Sequence, residues 1–330
     1  MMARKLKIPP EEPDNLPIDW AIITPSYTPD FGRCKLLCQS IDAFVSGDWH
    51  HYIIVSSDDL ALFATLAGPK RSIVAKETMV PKGLMHLPRF SRLANSLVRF
   101  VSFSLWFSWA TGFMVGWQVQ QIIKIEMARR VKETGILCCD SDVFFVRPFK
   151  LKSLVRDGRL RFYRGRELSN EKGVFAEKEQ SYPRFILSSA KLLGLKGNPF
   201  PSPWYVDQLI VWHRPTVEAM CNHIARITGE DWKRAAARWY NLSEYSLYGL
   251  FVDRIMANNR HLETTSVKLC KTIWYKATMN EAKFTEFCAD LDATEVAVCV
   301  QSFAGFVVTR LEAQFELALM RQKRMARRSL

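Results

Sequence analysis

Residues 136–149 read Ile-Leu-Cys-Cys-Asp-Ser-Asp-Val-Phe-Phe-Val-Arg-Pro-Phe. Gly135 ends the preceding helical pattern, and Ile136–Cys139 is a short apolar run of the kind that forms a buried strand. Asp140 and Asp142 then stand two residues apart at its carboxyl end. Ligands bind in the loops that follow the strands of an α/β sheet. Carboxylates buried there are costly unless a cation compensates them. A hard divalent ion, Mn²⁺ or Mg²⁺, prefers such oxygens. The ion can bridge to a diphosphate and stabilise its negative charge as a bond to it breaks. A plain surface turn is the competing reading, and the apolar residues on both sides of Asp-Ser-Asp weaken it.

Upstream, Trp20–Thr24 is an apolar run closed by Pro25, and Cys34–Val45 has helical spacing. His51–Val55 is a second strand that ends in Ser56-Ser57-Asp58-Asp59. A helix is expected over Asp59–Ala67 and a third strand over Arg71–Ala75. Strand and helix thus alternate, which predicts an α/β fold with a mostly parallel central sheet and flanking helices. Gln118–Lys132 carries a strong helix pattern that leads into the Asp-Ser-Asp strand. Downstream, helices are expected near Arg184–Leu193, Thr216–Thr228, Glu244–Asn258 and from Thr309. Strands are expected near Lys268–Tyr275 and Val296–Val300. With no internal repeat, the simplest organisation is one compact domain over 18–310. A loose, Pro-rich arm over 1–17 precedes it, and a basic tail over 311–330 follows.

The chain has 330 residues and a net charge of +13, which favours an anionic partner. No zinc finger or RNP-type aromatic pair is present, so no nucleic acid is expected. Eight cysteines without a Cys/His ladder read as buried, reduced thiols of a cytoplasmic protein. The N-terminus lacks the apolar core of a secretory signal. Residues 100–117 hold no charge, yet serines dilute them and glutamines follow at once. They read as a buried helix or loop, or as an interfacial segment with Trp106, Trp109 and Trp117. With the basic run Arg321–Arg328, they raise the expectation of peripheral attachment to an anionic membrane surface, the inner face of the cytoplasmic membrane.

Around Asp140–Phe149, Gly116–Lys124 and Trp204-Tyr-Val-Asp-Gln208, the chain resembles the nucleotide-sugar glycosyltransferases of the GT-A fold that carry a DXD motif. It looks most like bacterial members that build surface polysaccharide or lipopolysaccharide. The resemblance implies a nucleotide-sugar donor and a glycan or lipid-linked acceptor. It also makes 18–310 a single catalytic domain, with its donor half over about 18–150 and its acceptor half over about 151–310. Asp142 would be the main metal ligand, and Asp140 would contact the metal or the donor's ribose. Thr24, Pro25 and Ser26 would border the nucleotide, Asp58 its base, and Lys124 the donor diphosphate. A solvated lysine on a helix face is the plain alternative for Lys124.

Asp207-Gln208 resembles an Asp-Gln pair beside the acceptor, where Asp207 could act as the base. Glu244 is its rival, although Ser243 before it also suits a helix start. Trp204 would stack on an acceptor sugar, although such aromatics are often simply core. Many GT-A enzymes add a late His as a metal ligand, whereas the late loop here reads Gln301-Ser302-Phe303-Ala304-Gly305. His213 is a possible substitute, although an isolated His is more often structural. The alternatives are a phosphatase or phosphotransferase of the haloacid-dehalogenase type, which also ends a strand in Asp-x-Asp, and a catalytically inactive, basic membrane-binding relative.

Overall fold

Six consecutive buried residues, Trp20–Pro25, form the first strand, β1. A run apolar on both faces needs cover on both sides, and in a parallel sheet helices supply it. A computed structural model of the chain describes residues 18–87, 105–109, 111–169, 181–256, 258–276 and 278–328. The expected arm over 1–17 lies outside them. β1 pairs in parallel with β2 (Trp49–Val55), and β2 with β3 (Arg71–Ala75). On its other side β1 pairs in parallel with the Asp-Ser-Asp strand (Gly135–Cys138). The antiparallel strand Ile210–His213 closes that edge. The molecule is thus mixed α/β with a mostly parallel central sheet and flanking helices. Trp20 faces Gly135 across the ladder, and a Cβ on Gly135 would come within 2.9 Å of the Trp20 and Ile18 side chains.

Helices cover the sheet where the apolar spacing places them. Phe31–Phe44 follows β1 as α1. Gly116–Arg130, α2, buries ten residues, Lys124 and Glu126 among them. Tyr182–Leu192 is α3 and Arg214–Thr228 is α4, which stops at Gly229 in the left-handed region (φ 72°). A shorter helix that the sequence did not announce, α5 (Trp232–Ala237), is capped by the Asp231 side chain. In α6, Glu244–Arg254, the Ser243 hydroxyl accepts from the Ser246 amide, so the helix-start role of Ser243 is real. A second unannounced helix, α7 (Glu281–Ala289), starts at the Asn280 cap. Val308–Arg328 is the last helix, α8. All eight cysteines are buried and free, as expected.

Gly249 of α6 packs against the Tyr205 ring so closely that an added Cβ would lie 2.3 Å from two ring carbons. Tyr205 is itself fixed, its hydroxyl donating to Asp253 at 2.6 Å. Gly249→Ala is therefore expected to destabilise the fold by about 1–3 kcal/mol despite its better helix propensity. Urea unfolding checks this, and an unchanged midpoint would mean that the Tyr205 ring moves freely.

Two expectations fail. The helix over Asp59–Ala67 is instead a 3₁₀ turn (Ser57–Asp59), one α-turn (Leu60–Phe63) and another 3₁₀ turn (Ala64–Leu66). Of these residues only Phe63 reaches the core, so little tertiary packing offsets the cost of helix nucleation. Of the apolar segment 100–117, residues 100–104 and 110 lie outside the described residues. The rest is neither buried helix nor loop. Leu105–Ser108 and Gly112–Val115 form an antiparallel ribbon that also pairs with Met85–His86. Alternation explains it: Trp106, Ser108 and Met114 are buried and Phe113 is exposed, a period of two. Among the described residues no helix is long and apolar enough to cross a membrane.

The basic tail belongs to α8, which starts beside Gly32 and has Phe315 against Phe44 at the far end of α1. Its Arg321 and Met325 line an apolar cavity of about 590 Å³ with Phe44 and Pro148. α1 runs back from the carboxyl end of β1. The basic residues therefore sit at the opposite edge of the sheet from the 105–115 ribbon, and the two do not form one surface.

Candidate active site at the carboxyl edge of the sheet

The parallel strands end together at Pro25, Val55, Ala75 and Cys138. The Thr24 hydroxyl donates to the Cys139 carbonyl at 2.7 Å, and the Cys139 amide donates to Ile23 O, which pins the exit of the Asp-Ser-Asp strand. Asp140–Asp142 then turns tightly, the Val143 amide donating to Asp140 O. The chain re-enters the core as Val143–Phe145, paired with Ala297–Val300. The turn is thus held from both ends by buried strands and is not a free surface turn.

Asp142 is only 8% exposed. Its Oδ1 accepts a weak hydrogen bond from the Cys299 thiol at 3.4 Å. Burial, and then the charge of Asp140, push its pKa up to about 7. Asp140 is different, since Lys124 Nζ lies 2.6 Å from its Oδ1. The same ammonium is 3.0 Å from Glu244 Oε1 and 3.2 Å from the Tyr245 hydroxyl. An ammonium has three donors, and three oxygens surround this one. Burial works against the charged lysine, yet Asp140 and Glu244 outweigh it and hold its pKa well above the ordinary value. Lys124 is 2% exposed, so the solvated alternative is excluded. It meets the site through Asp140 rather than from the diphosphate side.

Glu244 is equally enclosed. Burial raises its pKa and Lys124 opposes that rise. Its amide also donates to the Gln121 side chain at 3.2 Å. A carboxylate in this position serves as a counter-ion. Asp207 has the opposite character: it is 3% exposed, and its Oδ2 is buried with no hydrogen-bond partner. Burial pushes its pKa up to about 6, against the Gln208 backbone hydrogen bond and the charges of Lys268 and Arg161.

Register brings Asp207 to the Asp-Ser-Asp turn. Ile210 pairs with Cys138, so residues 207–209 lie beside residues 139–142. The buried Cys270 thiol accordingly feels the charges of both Asp207 and Asp142. Leu209 adopts φ 59°, a conformation that costs a non-glycine residue about 1–3 kcal/mol. Leu209 is 1% exposed, and its packing holds this conformation at the Asp207-Gln208 corner.

The remaining sequence candidates divide. Ser26 and Asp58 follow their strand ends; Ser26 is partly exposed but its hydroxyl is buried beside Cys34, and Asp58 is exposed. Pro25 is buried. The Thr24 side chain is fully buried and also meets His51 Nε2 at 2.9 Å. Because Arg71 donates to His51 Nδ1, Nε2 carries the proton and Thr24 accepts it. Thr24 is therefore a structural pin. Gln208 is buried beside Asp207, while the Trp204 ring is stacked at 4.3 Å on Tyr182. His213 pairs with Gly135, the far end of the strand from Asp140, and lies near Thr216 and His261, so it is no metal ligand here.

Sequence reading missed Asp30, Cys299 and Arg33. Asp30, at the start of α1, has its pKa raised by burial, Arg33 opposing and the charge of Asp140 adding to the rise. The Thr28-Pro29-Asp30 helix start was a signal available for it. Arg33 donates to the Val300 and Phe306 carbonyls, which fastens the 299–306 loop beside Asp142. A contact across 267 positions has no local signature.

Among the described residues no three His, Cys, Asp or Glu side chains converge to hold a metal by themselves. Two carboxylates nonetheless suit Mg²⁺ or Mn²⁺, which complete their shell from substrate phosphate and water. The observation that fits is Asp142 itself, a buried carboxylate that forms no ion pair among the described residues and feels Arg33 only as a minor opposing charge.

Among solved structures, the chain is similar to that of mouse xyloside xylosyltransferase 1 in its apo form. Identity is 9% and the TM-score 0.44, over 87% of this chain and 99% of that one. No curated protein matches. A family model matches residues 18–317, from β1 through the sheet, the Asp-Ser-Asp turn and the first half of α8. The chain belongs to that family, DUF6492, a family of unknown function.

Proposed function

We propose that this chain is a glycosyltransferase that moves a sugar from a nucleotide-diphosphate donor to a glycan or lipid-linked acceptor in surface-polysaccharide assembly. The observation that carries the reading is the pair of buried carboxylates with raised pKa, Asp142 and Asp207, which flank two paired neighbouring strands at the carboxyl edge of a mostly parallel sheet. Asp142 and Asp140 would hold Mn²⁺ or Mg²⁺ together with the donor diphosphate. The ion, when bound, neutralises the charge that gathers on the departing diphosphate. The loops at Ser26 and Asp58 border the nucleotide. Asp207 is the base: its free Oδ2 takes the proton of the acceptor hydroxyl as that oxygen bonds to the anomeric carbon and the sugar–phosphate bond breaks. A pKa of about 6 leaves Asp207 ionised at neutral pH, as a general base requires. Glu244, bound to Lys124, positions rather than reacts.

Calorimetric titration with UDP, GDP, CDP and ADP, each with Mn²⁺ and with EDTA, tests the reading. One nucleotide is expected to bind only with metal, and Asp142→Ala to weaken it by about 100-fold, as loss of a charged ligand implies. Absence of metal-dependent nucleotide binding would remove the proposal. Phosphate release from a phosphomonoester, with no sugar transfer, would favour the haloacid-dehalogenase alternative.

A further inference from the structure

The ribbon that replaces the expected helix has two faces of different character. Its strands are registered so that Met85, Phe107 and Phe113 lie opposite one another in one row, and His86, Trp106 and Met114 in the next. The second row faces inward: Trp106 and Met114 are buried, and Trp106 packs against the His86 ring at 4.9 Å. The first row faces out. Met85 is 53% and Phe113 66% exposed, and Trp109 at the turn is 91% exposed. Phe107 holds the patch together, with ring centroids 5.2 Å from Trp109 and 4.9 Å from Phe113. A sheet face turned to water is normally polar. A contiguous aromatic one marks an interaction surface.

The charge pattern of the sequence says what covers it. From Met79 to Trp117 the chain contains Lys82, Arg89, Arg92 and Arg99 and no Asp or Glu. The charges of Asp58, Asp59 and Glu77 reach His86 on the inward row. The stretch that carries the outward Trp and Phe is instead cationic in sequence, which suits an anionic lipid headgroup layer, where Trp rings favour the interface and basic residues meet the headgroups. We propose that the outward row of this ribbon, with Trp109 at its tip, docks the protein on an anionic bilayer surface.

The placement gives docking a purpose. Lys76, at the carboxyl end of β3, sits 5.0 Å over the Trp106 ring, so the ribbon stands at the same edge of the sheet as the Asp-Ser-Asp turn. Its last strand runs without a break into α2, which carries Lys124. A surface held there brings the crevice to acceptors at the membrane. The inference goes beyond the proposed activity and stands without it.

Cosedimentation of the full chain with vesicles of phosphatidylcholine, with and without phosphatidylglycerol, tests it. The wild type is expected to bind the anionic vesicles more tightly, and less so at high salt. Trp109→Ser/Phe113→Ser is expected to lose at least about tenfold in partitioning, since two aromatic rings no longer leave water. Both side chains are exposed, and an unchanged thermal melt checks that the variant is intact. Brominated lipid is expected to quench tryptophan emission in the wild type and to quench it less in Trp109→Phe. No binding of the wild type to anionic vesicles overturns the proposal, as does equal binding by the double variant. A dimer broken by the double variant, without vesicle binding, also overturns it in favour of a second copy on this face. Nucleotide titration is a separate measurement, so either proposal can fail alone.

Discussion

At pH 8 and without divalent metal, Asp142→Asn is expected to melt a few degrees above the wild type, although it removes the residue proposed to hold the metal and donor. Inside the fold Asp142 titrates near 7, against an ordinary value of 3.8, because burial and Asp140 both oppose its charge. Between those pH values the folded chain keeps a proton that the unfolded chain has released. Stability therefore falls as pH rises through that window, and the full cost stands above it. At about 1.4 kcal/mol per pH unit, the cost is roughly 4 kcal/mol, of which Asn recovers the part not owed to burying its own amide. A gain of about 2 kcal/mol corresponds to a few degrees in a chain of this size. The gain is expected to vanish at pH 4, where both proteins carry a neutral side chain. Mn²⁺ is expected to raise the melting temperature of the wild type and not that of the variant, because a ligand stabilises only the state it binds. Thermal melts at the two pH values, with and without Mn²⁺, decide it. A lower melting temperature for Asp142→Asn at pH 8, with no Mn²⁺ effect on the wild type, would mean that the protein compensates this carboxylate itself.

The features legible in the sequence are those that local chemistry dictates. Trp20–Pro25 and Gly135–Cys138 are unbroken apolar runs, and strands covered on both faces look like that. The Asp-x-Asp pair stands out because charge at such a place needs a reason. The α2 pattern was equally plain, but the fate of Lys124 was not. A helical lysine is usually solvated, and only the approach of α6 makes this one a buried counter-ion. By sequence Asp207 is only slightly the better candidate base than Glu244. Long-range pairing separates them, since Ile210 lies against Cys138 whereas Glu244 lies against Lys124. The apolar run at 100–117 misled for a related reason. Composition does not reveal period, and the alternation at 105–115 is too short to stand out among serines and tryptophans.

Lys124→Met is expected to be among the most destabilising substitutions in the protein. Lys124 is the cation between two acids, Glu244 fully enclosed and Asp140 about one-fifth exposed at its side chain. Breaking a buried pair by removing one partner typically costs about 3–5 kcal/mol, because an uncompensated charge is left behind. Of the two acids Glu244 carries most of that cost, since Asp140 can turn toward water or a bound cation. The loss should therefore depend on pH. Without Lys124 only a backbone hydrogen bond still opposes the effect of burial on Glu244, so its pKa rises further above 4.5. The fold then holds a proton that the unfolded chain releases, and Lys124→Met loses more at pH 8 than at pH 5.

The double variant Lys124→Met/Glu244→Gln removes the ammonium and its enclosed partner together, and is expected to recover more than half of the loss. Replacing both members of a buried pair is often near neutral. Urea unfolding of the wild type, both single variants and the double variant closes the cycle, and the coupling should exceed about 1 kcal/mol. Nucleotide affinity separates this structural task from the chemical one. In the double variant the fold is restored but Asp140 has lost its fixed partner, so metal-dependent binding is expected to stay about tenfold or more below wild type, as for loss of an outer-shell partner. Wild-type affinity in the double variant would show that Asp140 needs no positioning by Lys124. A Lys124→Met protein as stable as wild type at pH 8 would show that water reaches Glu244, and the enclosed three-oxygen cage around the ammonium would then be wrong.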